Sequence, residues 1–78
     1  MVRYLKTEIE FFQDILDGLK LFEVRFNDRN FKVDDVLVLQ EYDSKMKIYT
    51  GREISKRVIY ILDDPRFVKE GYVIMSLK

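Results

Sequence analysis

Six polar side chains that are able to bind a ligand fall within ten consecutive residues of the sequence. Three are cations, two are carboxylates and one is an amide: Lys20, Glu23, Arg25, Asn27, Asp28 and Arg29. Lysine and arginine bind phosphates, whereas carboxylate and amide groups can hydrogen-bond the edge of a nucleobase. Because Glu23 and Arg25 are two residues apart, they share one face of a strand, where they either pair with each other or present a donor and an acceptor. The segment is therefore the first candidate for a binding site, and ordinary ion pairs on a solvated strand are the alternative.

The composition excludes several other kinds of site. Histidine and cysteine are both absent, so the commonest general base, the usual zinc ligand and any thiolate are missing. The acidic pairs at 34–35 and 63–64 lack the spacing of a calcium loop, and we expect no metal and no cofactor. The 14 basic and 14 acidic side chains cancel, so attraction to nucleic acid has to come from a local patch.

The length and hydropathy of the chain predict a single domain, residues 1–78. No apolar run approaches the roughly 20 residues that span a bilayer, and the N-terminal residues lack the apolar core of a signal peptide. We therefore expect a cytoplasmic protein that does not bind membranes.

A helix precedes the polar segment. Apolar residues recur at helical spacing at Ile9, Phe12, Leu16 and Leu19, and Phe11 and Ile15 widen this stripe. Thr7 and Glu10 have the spacing of a capping box, and Gly18 can end a helix in the left-handed conformation. The pattern predicts a helix over residues 8–18 with Thr7 as its N-cap.

The remaining segments alternate with a period of two and predict strands. They cover residues 2–6, 22–26, 36–42, 48–49 with 53–62, and 71–77. We expect the apolar face of the second strand, Phe22 with Val24, to lie in the core, and a bend or bulge at Thr50-Gly51. The order β-α-β-β-β-β indicates an α+β fold: a small, mostly antiparallel β-barrel flanked by the early helix.

The spacing Gly18-x-Lys20-x-x-Glu23-x-Arg25 matches the GxKxxExR signature of the ASCH superfamily, whose fold is similar to that of PUA RNA-binding domains. The chain also resembles the small DUF3850 family, which phages and prophages often encode. That resemblance extends over nearly the whole chain, with matching segments at 22–31, 33–37, 41–43, 49–52, 58–62 and 71–75. It implies a PUA-like barrel and a polar cleft lined by the signature residues.

Two positions depart from the family pattern. The family typically carries a histidine just before the Leu-Lys pair of the first strand, and Arg3 stands near that place here. Asp34 replaces the usual glycine of a Val-Gly-Asp turn. Aspartate tolerates a left-handed turn residue better than most, so we expect the turn to persist with some strain.

The resemblance favours RNA or nucleotide binding. Lys20, Arg25 and Arg29 are predicted to contact phosphates, while Glu23 and Asn27 read a base edge. The same predicted site includes Asp28, and Tyr42 as a stacking surface.

Two alternatives remain open. Some ASCH proteins resemble amidohydrolases of acylated nucleosides that use a lysine, a threonine and a glutamate, and others resemble ribonucleases. Here Lys20 and Glu23 are the candidate catalytic residues, although Glu23 stands where that threonine would fall. The second alternative is a phage-type protein-binding or inhibitory role, with aromatic side chains such as Phe67 and Tyr72 contacting a protein partner.

Overall fold

A computed structural model describes all of residues 1–78, with the elements in the predicted order. The elements are β1 (Val2–Glu8), α1 (Ile9–Leu16), β2 (Phe22–Phe26), β3 (Val36–Asp43), β4 (Ile48–Leu62) and β5 (Tyr72–Leu77). The fold is thus a mostly-sheet domain with one short helix. That helix is too short to cross a bilayer.

The five strands form one mixed sheet in the order β1-β3-β4-β5-β2. β1 runs parallel to β3, and the other three pairings are antiparallel. The predicted closed barrel is wrong, because β1 and β2 are edge strands with no backbone ladder between them. Side chains cross the gap instead: Arg25 Nη2 donates to the Lys6 carbonyl at 2.6 Å, and Arg29 Nη1 donates to the Tyr4 carbonyl at 2.9 Å. These side chains occupy the space that direct strand pairing would need.

The core lies on the inner face of the three central strands. It contains Leu5, Ile15, Phe31, Leu37, Leu39, Val58, Val73, Met75 and Leu77. Removing each aliphatic side chain of this kind from water contributes about 1.5–3 kcal/mol to folding. Helix α1 buries Phe12 and Ile15, which are three residues apart and therefore share a face. This packing fixes the helix beside the ends of β1 and β3.

Helix α1 is shorter than the predicted range of 8–18. Thr7 and Glu8 belong to β1, the helix begins at Ile9, and no side chain caps its N-terminus, so the predicted capping box is wrong. Pairing with β3 continues through Glu8, and this parallel ladder outweighs one side-chain cap, worth about 1 kcal/mol. The helix also ends earlier than predicted, at Leu16, but the predicted left-handed glycine after it is confirmed: Gly18 has φ 75° and donates its N–H to the Ile15 carbonyl at 3.1 Å.

Strand β2 has its polar face inward. Glu23 is only 3% exposed, whereas Phe22, Val24 and Phe26 are 45%, 48% and 56% exposed. The prediction that Phe22 and Val24 lie in the core is therefore wrong. Because β2 is an edge strand, its inner face borders the gap next to β1, where a carboxylate can find cationic partners. The outer side chains instead continue an apolar surface across β5 and β4, and because β2 is at the edge of the sheet, Phe22 and Val24 also border the gap.

Candidate functional site

The gap between β1 and β2 forms a cleft of about 480 Å³, a size common among small-molecule sites. The end of β1, one helix residue, Lys20 and strand β2 provide its walls. The lining residues are Lys6, Thr7, Glu8, Phe11, Lys20, Phe22, Glu23, Val24 and Arg25. Three of the predicted site residues therefore meet in one cavity.

Glu23 is the centre of the polar cluster in this cleft. Lys20 Nζ donates to Glu23 Oε1 at 2.9 Å, and Arg25 Nε donates to Glu23 Oε2 at 2.8 Å. Lys20 also donates to the Phe22 carbonyl at 2.7 Å. A buried carboxylate is costly unless it is paired, and here each oxygen has a cationic partner. Of the two arrangements considered for Glu23 and Arg25, the folded chain adopts the pair.

Pairing leaves part of the cluster's hydrogen-bonding capacity free. An ammonium has three donors and Lys20 uses two, while a guanidinium has five and Arg25 uses two. Each oxygen of Glu23 accepts one bond and has a further lone pair. The cleft therefore offers donors and acceptors side by side.

Two aromatic rings stand beside the cluster. Lys20 Nζ lies 4.8 Å from the ring centroid of Phe22 and 5.7 Å from that of Phe11. Both distances allow attraction between the ammonium and the ring faces. Phe11 and Phe22 remain about half exposed, so each also has surface available to a ligand.

Thr7 and Phe11 are cleft residues that the sequence did not identify as part of a site. The helical pattern assigned Thr7 to a cap and Phe11 to the apolar stripe of the helix. In the structure Thr7 is 2% exposed, and its Oγ1 is buried without a hydrogen-bond partner. Only the pairing of β1 with β3, a contact between distant segments, shows that Thr7 belongs to a strand beside the cleft.

The other predicted site residues lie outside the cleft. Arg29 contacts β1 at the Tyr4 carbonyl, Asn27 Oδ1 accepts the N–H of Phe31 at 2.9 Å, and Asp28 is exposed. Tyr42 packs edge-on against Tyr49, with 5.0 Å between centroids, and Lys6 Nζ lies 4.2 Å from the Tyr42 ring. Lys6 lines the cleft, whereas Tyr42 does not.

Of the two departures from the family pattern, Asp34 precedes β3 and Arg3 lies on β1, which pairs with β3. Asp34 has φ 77°, which confirms the left-handed turn residue. Arg3 Nε lies 3.8 Å from Asp35 Oδ2, and neither residue lines the cleft. Burial alone would raise the pKa of Asp35, but the hydrogen bond from the Lys32 N–H and the nearby N-terminal ammonium and Arg3 outweigh it and lower the pKa.

A third buried carboxylate, Glu41, binds Arg52, which in turn contacts the helix that carries Phe11. Opposite Glu41 the β3–β4 ladder skips from Gln40–Glu53 to Tyr42–Tyr49, which confirms the predicted bulge at Thr50-Gly51. The bulge brings together Thr50 and Arg52, and both donate to the carboxylate. These bonds hold the pKa of Glu41 below its usual range, although burial opposes them.

Arg52 extends this network from the sheet to α1. Its Nη2 donates to Gln13 Oε1 at 3.1 Å, and its guanidinium lies 5.1 Å from the ring centroid of Phe12. The helix is therefore held to the β3–β4 hairpin by polar contacts as well as by its buried face. This anchoring positions Phe11 at the wall of the cleft.

The cleft residues lie within a region shared with other proteins. Residues 2–77 match the sequence profile of the family described as a domain of unknown function, DUF3850. The protein belongs to the DUF3850 family. The resemblance to the DUF3850 family that the sequence showed is therefore confirmed.

Most of this DUF3850 chain aligns with a phage protein. The chain is 30% identical over 74 residues to a protein of Escherichia phage P2 described as an uncharacterized 12.9 kDa protein in the GpA 3′ region. The alignment covers 95% of this chain and 65% of the phage protein. The DUF3850 domain of this chain is thus similar to part of a longer phage protein.

Proposed function

We propose that this DUF3850 protein binds RNA or a free nucleotide in the cleft between β1 and β2, as an ASCH-like, PUA-related module of the cytoplasm. The observation that carries the proposal is the paired Glu23 cluster beside two half-exposed aromatic rings. Exposed aromatic faces stack unpaired bases, and clustered donors and acceptors bond their edges. The GxKxxExR signature supports the same role, because its Lys20, Glu23 and Arg25 form this cluster.

The hydrolytic alternative makes a different demand on the same residues. Lys20 would have to act as a base or nucleophile, which requires a free amine. Its Nζ instead pairs with the Glu23 carboxylate and donates to the Phe22 carbonyl, so it is held by its neighbours and is not free to attack a substrate. A binding site therefore accounts for the geometry of Lys20 better than a catalytic site does.

Titration of isotope-labelled protein with the four nucleoside 5′-monophosphates and a short single-stranded RNA tests the proposal. We expect NMR amide shifts to cluster at residues 6–8, 11 and 20–25. Lys20→Ala should weaken binding about ten- to a hundredfold, since it removes a charged donor from the cleft, worth about 1.5–3 kcal/mol. Lys45→Ala, at an exposed position in the β3–β4 loop, is the matched control. No shifts at millimolar ligand, or shifts confined to surfaces outside the cleft, would contradict nucleotide binding here.

A protein-binding role is the second candidate, and the outward side of β2, β5 and β4 favours it. Residues that pair in the β2–β5 and β5–β4 ladders form two rows across this side of the sheet, Phe22–Ser76–Tyr60 and Val24–Ile74–Leu62. The pair Phe26–Tyr72 lies next to them. We call these eight residues the outer apolar face. Of the aromatic residues named from the sequence, Tyr72 belongs to this face, with its ring centroid 5.5 Å from that of Phe26. An antiparallel sheet normally presents polar residues on its solvent side, so this composition is unusual.

A second copy of the chain is the partner that fits this face. None of its eight side chains is charged, so two copies can meet without burying an unpaired charge. At roughly 200 Å² per aromatic side chain, the partly exposed rings and Val24 of the outer apolar face expose on the order of 400 Å² of apolar surface. That is about half of the ~800 Å² that each partner contributes to a standard interface. The expected dimer is therefore weak.

Sedimentation equilibrium over a range of protein concentrations tests this second function. We expect reversible dimerisation that Tyr60→Lys abolishes, because the ammonium would be buried against a second apolar face. Tyr4→Lys replaces the same residue type at a similarly exposed position on β1 and should leave dimerisation unchanged. A monomer at every concentration would contradict self-association through the outer apolar face.

A further inference from the structure

The hydroxyl of Thr7 is a buried polar group that the fold itself does not satisfy. Its side chain is at the wall of the cleft, the residue is 2% exposed, and Oγ1 has no hydrogen-bond partner. Buried side-chain polar atoms are usually hydrogen-bonded, and an unpaired one reduces stability. Because a hydroxyl both donates and accepts, a ligand group of either kind can complete its bonding once the side chains that cover Oγ1 shift to admit it.

The charges around the cleft largely compensate one another. Glu23 pairs with both Lys20 and Arg25, and Lys6 and Glu8 add one charge of each sign to the lining without forming an ion pair with each other. A phosphate bound here would compete with a carboxylate that already has two cationic partners. Uncharged ligand groups avoid that competition, because they can use the remaining donors and lone pairs without breaking either ion pair.

We infer that the cleft recognises the hydrogen-bonding edge of a nucleobase and does not recognise its phosphate. The inference rests on the proposed function and narrows it. The planar base lies against the exposed surface of Phe11 or Phe22, while the free lone pairs of Glu23 and the free donors of Lys20 and Arg25 bond its edge. The Thr7 hydroxyl makes the remaining contact and contributes to the choice among bases. A base has adjacent donors and acceptors in one plane, which matches this mixed set.

Three kinds of probe separate base recognition from phosphate recognition: the four nucleosides, their 5′-monophosphates and ribose 5-phosphate. NMR titrations are expected to give dissociation constants within about threefold for a nucleoside and its monophosphate, with no binding of ribose 5-phosphate. Affinity should also change by less than about threefold between 50 and 200 mM salt, because no phosphate charge is neutralised. Binding of ribose 5-phosphate without binding of nucleosides would overturn the inference and leave nucleotide binding intact. Absence of binding by all three kinds of probe would overturn both.

Substitutions at Thr7 test the role of its hydroxyl. Thr7→Val keeps the branched shape and removes the unpaired polar atom, so the free protein should melt at an equal or higher temperature. The same variant should bind its preferred nucleoside about tenfold more weakly, whereas Thr7→Ser, which keeps the hydroxyl, should retain most of the affinity. A Thr7→Val variant that binds every nucleoside as the unmodified protein does would show that the hydroxyl makes no ligand contact.

Discussion

Replacing both Lys20 and Arg25 with alanine is expected to destabilise the protein by about 3–5 kcal/mol. The double variant leaves the Glu23 carboxylate, whose side chain is 5% exposed, without either of its cationic partners. A domain of this size has only about 4–12 kcal/mol of stability, so this loss removes a large part of it. Urea denaturation followed by circular dichroism measures the change.

A triple variant distinguishes the cost of an unpaired carboxylate from the loss of side-chain bulk. Lys20→Met, Glu23→Leu and Arg25→Met together replace the whole cluster with apolar side chains of similar length, and such replacements are often neutral or stabilising. We expect the triple variant to recover most of the stability that the double variant loses. If the double variant proves as stable as the unmodified protein, Glu23 is not the buried, paired group that the structure describes.

Acid is expected to destabilise the protein through two buried carboxyl groups, Glu41 and Asp35, whose pKa values the fold lowers. Between the folded and unfolded pKa values the unfolded chain binds more protons, so protonation favours unfolding. This contribution is fully present above the unfolded pKa, about 4.5 for a glutamate, and is lost as pH falls through the lower folded value. Each carboxyl reduces the free energy of unfolding by at most about 1.4 kcal/mol per pH unit in that window.

Urea denaturation between pH 7 and pH 3 measures this loss. Glu41→Gln should lower stability at pH 7, because Arg52 and Thr50 lose their charged acceptor, and should flatten the dependence on pH below about 4.5. Glu70→Gln, at an exposed position, is the matched control. An identical pH dependence in Glu41→Gln and in the unmodified protein would contradict the assignment of this effect to Glu41.

Features set by neighbouring residues were predictable from the sequence. The left-handed residues Gly18 and Asp34 and the bulge at Thr50-Gly51 depend on local backbone preferences, and the structure has each of them. The order of helix and strands is similarly local. The parallel pairing of β1 with β3 was not predictable in this way, because no short sequence pattern specifies which distant strand a segment will join.

The candidate site was also only partly predictable from the sequence. Alternation in β2 correctly placed Glu23 and Arg25 on one face, but it does not say which face points inward. The expectation that apolar residues face the core failed because β2 is an edge strand beside a polar cleft. Thr7 was misassigned for a related reason: its capping pattern is local, whereas its position in β1 depends on pairing with Glu41.

The pairing of β2 with β5 also determines when the cleft can form. β2 is joined to the sheet only through β5, where Phe22 pairs with Ser76 and Phe26 with Tyr72. During synthesis, at about 5–20 residues per second, β2 leaves the ribosome seconds before its partner strand does. Because β2 and its partner β5 are far apart in the sequence, their pairing also slows folding toward the range of milliseconds to seconds. A nascent chain therefore has no wall opposite β1 until β5 is released, and it gains the ability to bind a ligand in one late step.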